Sequence, residues 1–313
     1  MPDIQLPIVL EPLHAESAMG FVLRCAHANG TNLHGLRRAI GMPAVGLFTG
    51  MHIRSLAWLL QCSESWLRNG LGSVHKEDGV STMYCWGHKF FATNHVRRLW
   101  PQICPECVHQ EGHCHRVWDL SMSTICTKHK RWLIDECQHC HSRLRWDRPS
   151  LDICNCGHGF EPDTRPININ KTLKSFALLL EAMVSEDLSS RLSDITPLPP
   201  FFRNMTVSGV VMLVEILGRL EFNHQIVHMS RRTKSLRTQE WDSIVNRALL
   251  RLHELEDSKM KSPILIDAVA LKRLINRSTN QTELQVAWLL ASRMPSSEMP
   301  LVRYAPFQHS LFS

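Results

Sequence analysis

Eight of the eleven cysteines fall within residues 104–156, and seven of them, with one histidine, make two four-ligand sets. The first is Cys104-Pro-Glu-Cys107 with Cys126-Thr-Lys-His129, and the second is Cys137-Gln-His-Cys140 with Cys154-Asn-Cys156. A two-residue gap lets two ligands on one tight knuckle reach a single ion, and zinc takes four thiolate or imidazole ligands in a tetrahedron. The spacing therefore predicts two structural Zn2+ ions per chain. With four protein ligands each, neither site keeps a position for water, which argues against zinc catalysis.

Disulfides are the competing use of these cysteines. The opening Met1-Pro2-Asp3-Ile4 lacks the basic start and apolar core of a secretion signal, so the expectation is a cytoplasmic protein whose paired cysteines hold metal. Cys25, Cys62 and Cys85 stand alone and read as buried small side chains. Cys114, in Gly112-His113-Cys114-His115, is a spare ligand that competes with His129 for the first site.

The formal charge is +6, but filling both sites adds seven thiolates and two divalent ions and brings the chain near +3. Bulk charge is thus weak evidence for nucleic-acid binding. Local clusters are better evidence: residues 87–150 carry ten Lys/Arg against six Asp/Glu, and residues 224–251 carry six against two. These clusters supply the candidate contacts to nucleic acid or a partner: Arg97, Arg98, Lys128, Lys130, Arg131, Arg143, Arg145, Arg231, Arg232, Lys234 and Arg237. Lys128, Lys130, Arg131, Arg143 and Arg145 serve equally well to offset thiolate charge.

The elements that must position these residues fall into three expected domains. Residues 1–75 read as a helical, helix-turn-helix-like domain: Ser17 caps a helix ended by Asn29-Gly30, and a second runs from Thr31 or Asn32 to Ile40 before Gly41. Further helices are expected at 52–60, with Ile53, Leu56, Leu59 and Leu60 on one face, and at 64–69. Residues 76–165 form the tandem zinc-binding region, a small β-ribbon in which Trp118–Met122, Leu133-Ile134 and Leu144–Trp146 are expected strands. Residues 166–313 are a helical domain, with amphipathic helices through Leu173–Val184 and Trp241–Leu255, two more within 264–275 and 281–294, and a proline-rich linker at 196–200. The fold class is mostly α with a small zinc-ribbon region. No apolar run approaches the roughly 20 residues that span a bilayer.

The residues resemble the TniQ and TnsD proteins of bacterial transposons. Glu11-Pro12-Leu13, Glu16-Ser17 and Phe21–Gly30 look like the family's opening, and Cys104–Cys107, Trp118, Cys126–His129, Leu133, Cys137–Cys140 and Cys154–Cys156 stand in its order. The resemblance covers residues 11–160. Gly20, where a serine is expected, and His141, where glycine is common, depart from the pattern. The resemblance implies a non-catalytic, bacterial, cytoplasmic adaptor that selects the transposition target and hands it to a TnsC-like ATPase, which recruits the transposase. Shorter TniQ-like members work with a guide-RNA CRISPR effector complex of the Cascade kind, and some dimerise on it. A chain of 313 residues is nearer that type, so target DNA within such a complex and a homodimer are implied as well.

Two rivals share the residues. A zinc-ribbon, helix-turn-helix transcription regulator needs the same ligands and no transposition partners. A His-Asn-His nuclease is suggested by His88, Asn94 and His95, but no acidic metal ligand falls in phase with them.

Overall fold

The computed structural model describes residues 5–77, 79–162, 168–185, 197–220, 235–256 and 266–294. The chain forms two compact units, Met1–Asn168 and Ile169–Ser313. The helical opening and the whole cysteine-rich region therefore belong to one unit.

Four short helices open the first unit. In α1 (Ala18–Ala28) the Ser17 hydroxyl accepts from Gly20 N–H, and Asn29 followed by Gly30, at φ +63°, ends it. Asn32 caps α2 (Leu33–Ala39) through Gly35 N–H. Next come α3 (Gly50–Leu60) and α4 (Glu64–Leu71), joined by Gln61-Cys62-Ser63, with Ser63 capping α4. Each cap satisfies a helix-end donor that would otherwise lack a partner. The apolar stripes converge: Phe21, Leu33, Leu36, Ile53, Leu56 and Leu67 are fully buried, each removal from water contributing roughly 1.5–3 kcal/mol. Phe21 meets Trp66 edge to face at 5.2 Å, which locks α1 onto α4.

A three-stranded antiparallel sheet follows, β1 (Ser73–Glu77), β2 (Val80–Cys85) and β3 (His88–Phe90), in that order. The ribbon expectation contained no such sheet. Its second turn, Trp86-Gly87, places both residues at positive φ, 53° and 75°, the twist a two-residue hairpin needs.

The cysteine-rich segment contains α5 (Pro105–Glu111) and the paired β4 (Ile125–Cys126) and β5 (Arg131–Trp132). Two expected strands are corrected here. Arg116–Asp119 is a 3-10 turn, because Val117, Trp118, Asp119, Leu120 and Ser121 are all buried and the apolar-polar alternation marks no half-exposed face. Leu144–Trp146 is not a strand, and only the adjacent Arg143 makes a bridge, to Glu136. At Leu133-Ile134 the strand lies earlier, on β5, while Ile134 exchanges two backbone hydrogen bonds of 2.9 Å with Ile103.

The second unit is helical: α6 (Lys171–Ser185), α7 (Val207–Gly218), α8 (Thr238–Glu256), α9 (Ala268–Arg277) and α10 (Gln281–Ser292). Every residue of α7 is buried, and α6, α8 and α9 pack against it. Helix α7 is absent from the sequence expectation because an all-apolar helix has no polar face and hence no period to read. Arg247 donates to Gly218 O and Arg251 to Leu217 O and Leu220 O, which satisfies the carbonyls at its buried end. At Gly218 a Cβ would lie 2.0 Å from Ile244 O, so only glycine permits the approach of α8. Among the described residues no helix is long and apolar enough to cross a membrane.

Candidate metal centres

The first ligand set is assembled by the start of α5 and the turn between β4 and β5. Cys104 is the helix cap residue, Pro105 pre-sets the first helical position, and Cys107 follows on the first turn. Cys126 ends β4, and His129 turns back toward it, its backbone N–H donating to Cys126 Sγ at 3.4 Å. Lys130, next in the chain, takes a left-handed φ of 52° to complete the knuckle.

All four ligand atoms lie within 4.8 Å of one another. Cys107 Sγ is 3.6 Å from Cys126 Sγ, and His129 Nδ1 lies 3.1, 3.5 and 3.7 Å from the sulfurs of Cys107, Cys104 and Cys126. A tetrahedron with Zn–S bonds near 2.3 Å has edges of about 3.8 Å, whereas a disulfide would bring sulfurs to about 2.05 Å. The far nitrogen, His129 Nε2, is 3.0 Å from Gln110 Oε1, a contact that fixes the ring with Nδ1 toward the sulfurs. Gln110 is the orienting residue the sequence reading missed; its position on α5, three residues after Cys107, was the available signal.

The second set repeats the plan with two knuckles. Cys137 and Cys156 sulfurs are 3.7 Å apart, Cys140 and Cys154 sulfurs 3.8 Å, and all four again lie within 4.8 Å. The residue after each knuckle is left-handed: His141 at φ 56° and Gly157 at 87°. That explains why glycine suits position 141. Gln138 clamps the two knuckles by exchanging hydrogen bonds with the backbone N–H and C=O of Glu161.

The thiols of each set share hydrogen bonds, which lower the pKa of Cys126 through Cys104 and Cys107 while raising that of Cys107, and the Ser142 N–H lowers that of Cys140. Outside the two sets, Cys25, Cys85 and Cys114 are buried as expected and burial pushes their thiols up, Cys25 and Cys114 to about 12, as befits inert core thiols, whereas Cys62 is only half-buried and is pushed up to about 11. Cys114 belongs to neither ligand set. It sits against α1, where Ser17 N–H donates to its carbonyl at 2.8 Å and a Cβ at Gly20 would come within 3.0 Å of its own. Gly20 thus makes room for the Cys114 loop. Two smaller groups, Cys107 with Glu111 and His115, and Cys156 with His139 and His158, each share a cysteine with a main set.

Both donor sets fit a tetrahedral, thiophilic cation, and the cysteine clusters are consistent with zinc. The family model described as TniQ matches residues 7–133. The chain carries a TniQ domain. The TniQ match contains α1–α4, the three-stranded sheet and all four ligands of the first set, and ends four residues before Cys137. The second set and the helical unit lie beyond it. No curated protein matches the chain.

The candidate contact residues divide by environment. Arg97 pairs with Asp135 at 3.1 Å and Arg143 reaches the same carboxylate at 3.6 Å, Arg131 pairs with Glu106 at 2.6 Å, and Lys128 with Glu111 at 2.5 Å. Arg145 and Arg143 lie over the Trp100 ring, at 5.6 and 5.1 Å. Lys130 and Arg237 are exposed, and Arg98 is half-buried. Arg231, Arg232 and Lys234 lie outside the described residues, as does the tail from Pro295. Of the nuclease-like residues, His95 is fully buried in the 3-10 turn Thr93–His95 and His88 lies on β3.

Proposed function

We propose that this chain is a non-catalytic adaptor in DNA transposition that links target recognition to a TnsC-like ATPase and, through it, to the transposase. Target recognition would come from a guide-RNA effector complex that holds the target DNA. The observation that carries this reading is the TniQ domain itself, whose matched span contains a complete four-ligand set. A transposition-associated adaptor fits that domain.

The chemistry agrees. Cys104, Cys107, Cys126 and His129 would hold one zinc ion, and Cys137, Cys140, Cys154 and Cys156 a second. Ions so ligated supply cross-links between chain segments and leave no position at which water could be activated. The segments tied together are otherwise short: β4 and β5 are two residues each, and α5 is seven. Structural zinc contributes on the order of 10 kcal/mol of apparent binding energy to such a module, so metal and fold are coupled. The paired state of Arg97, Arg131 and Lys128 also supports protein-mediated targeting over tight DNA binding by this chain alone, because non-specific affinity scales with the phosphates neutralised.

The test is a binding comparison with the full chain. The expected result is micromolar or tighter capture of a TnsC-like ATPase or a guide-RNA effector complex, and only weak, salt-sensitive binding to duplex DNA. Nanomolar, sequence-specific binding to a promoter-like site by the isolated chain would establish the transcription-regulator reading instead. In the same preparation Cys126→Ser and Cys154→Ser should each lose one zinc ion, measured by elemental analysis. Cys114→Ser should lose none, and loss of zinc in that variant would replace His129 with Cys114 as ligand.

A further inference from the structure

The second ligand set leaves one of its sulfurs in the open. Cys137 and Cys154 are buried and Cys140 is half-buried, but Cys156 is exposed. Two exposed imidazoles stand beside it, His139 from inside the first knuckle and His158 from just past the second. Their rings stack with centroids 3.3 Å apart and planes 12° from parallel, and His158 Nδ1 lies 3.8 Å from Cys156 Sγ. One ligand atom from each of the three residues falls within 4.8 Å of the others.

Charge and geometry both suit a cation at this place. Four thiolates and one divalent ion leave the second set at −2, whereas three thiolates, a neutral imidazole and one divalent ion leave the first at −1, so the second attracts a further cation more strongly. A thiolate bound to one zinc ion keeps lone pairs for another, and Cys156 is the sulfur that faces outward. Bonds near 2.3 Å to sulfur and 2.05 Å to nitrogen put two donors about 3.6–3.8 Å apart around one ion, which is the separation of Cys156 and His158. The backbone holds these donors on a fixed frame. Cys154 N–H donates to His158 O at 2.9 Å, and Gln138, next to His139, is tied to Glu161. The two rings are exposed and have no ion pair among the described residues, so each can turn about its side-chain bonds to aim a nitrogen at the shared point. The group of Cys107, Glu111 and His115 is a poorer site, because Lys128 and His115 already occupy the Glu111 carboxylate at 2.5 and 2.7 Å.

We propose that His139, Cys156 and His158 bind a third, exchangeable zinc ion, which the Cys156 thiolate bridges to the structural ion of the second set. Imidazole and thiolate donors select zinc over magnesium or calcium. Three protein ligands leave one coordination position to solvent, so this ion is held more weakly than the two four-ligand ions. The site rests on the second structural ion proposed above and holds whether or not the chain acts in transposition.

The test uses the full chain dialysed against citrate, which strips weakly held ions, and then counted for zinc by elemental analysis. Cobalt(II) chloride, a spectroscopic stand-in for zinc, is titrated in while the visible d–d bands and the thiolate-to-cobalt charge-transfer band are followed. The expected result is two zinc ions retained and one cobalt ion taken up per chain, with a charge-transfer band that shows sulfur ligation. His139→Gln and His158→Gln should each weaken cobalt binding at least tenfold and leave the zinc count at two. Because both side chains are exposed, neither change threatens the fold. Two retained zinc ions with no cobalt uptake, uptake without the charge-transfer band, or a band that both variants leave unchanged would overturn the third site alone. Cobalt uptake matched by zinc release is exchange at the structural sets and overturns it too. A chain that retains a single zinc ion lacks the bridged partner, and overturns the second set together with this site.

Discussion

His141 and Lys130 hold left-handed φ angles of 56° and 52°, which cost a residue with a Cβ about 1–2 kcal/mol relative to a right-handed conformation. Glycine at these positions would remove the clash. His141→Gly is expected to raise stability by up to about 1 kcal/mol, read as a higher melting temperature with unchanged zinc content. A lower Tm would mean that the exposed imidazole contributes to the fold. Asp119 supplies a test in pH. Burial, opposed by the Ser17 hydrogen bond and by Arg116 and Arg97, pushes its carboxyl up to about 7. The folded chain then binds a proton more tightly than the unfolded one, so this group makes stability fall as pH rises from about 4 to 7, at a slope on the order of 1.4 kcal/mol for each pH unit crossed. Asp119→Asn should flatten that slope in thermal melts and make the chain more stable than wild type at pH 8; an unchanged slope contradicts the assignment. The ligands themselves were legible because knuckle spacing is local. The fate of the basic residues was not, since Arg97 meets its partner Asp135 only across 38 positions of chain.

At the scale of elements, what could be read from the sequence tracks whether an element has one polar face. The stripes on α6 and α8 predict those helices, and the caps at Ser17 and Asn32 predict the starts of α1 and α2. Helix α7 has no polar face and was invisible to periodicity, and the alternation at Trp118–Met122 misled because both of its faces are buried. The sheet β1–β3 is signalled in the sequence by Gly79 and by Trp86-Gly87, whose positive φ angles of 77°, 53° and 75° suit tight hairpin turns. The tightest packing constraint in the second unit is Gly218 against the α8 backbone. Because Ile244 O cannot retreat without moving a helix, Gly218→Ala should cost several kcal/mol, on the order of the worst overpacking substitutions. Thermal denaturation of the full chain would show it, and a change in Tm of under two degrees would contradict the packing.

The whole molecule extends the TniQ match at both the second metal set and the helical unit. The first unit nevertheless runs on to residue 168, and the reason is visible in its ion pairs. Arg37 on α2 takes Asp147, and Arg97 takes Asp135, so two buried guanidiniums inside the matched span depend on carboxylates beyond its end. Removing one partner of such a buried pair costs about 3–5 kcal/mol. A chain ended after residue 133 should therefore aggregate, while one ended after 168 should be recovered folded with its full zinc complement, as judged by size exclusion and elemental analysis. Equal behaviour of the two truncations would show that the second metal set is dispensable to the TniQ domain. The central claim, that this chain directs transposition without performing its chemistry, is tested most directly by mapping insertion sites in a reconstituted reaction with and without it. The expected result is that insertion at the target falls to background when the chain is omitted, while strand transfer in an assay that bypasses targeting is unchanged. Insertion at the target that persists in its absence, or strand transfer lost along with it, would contradict the account.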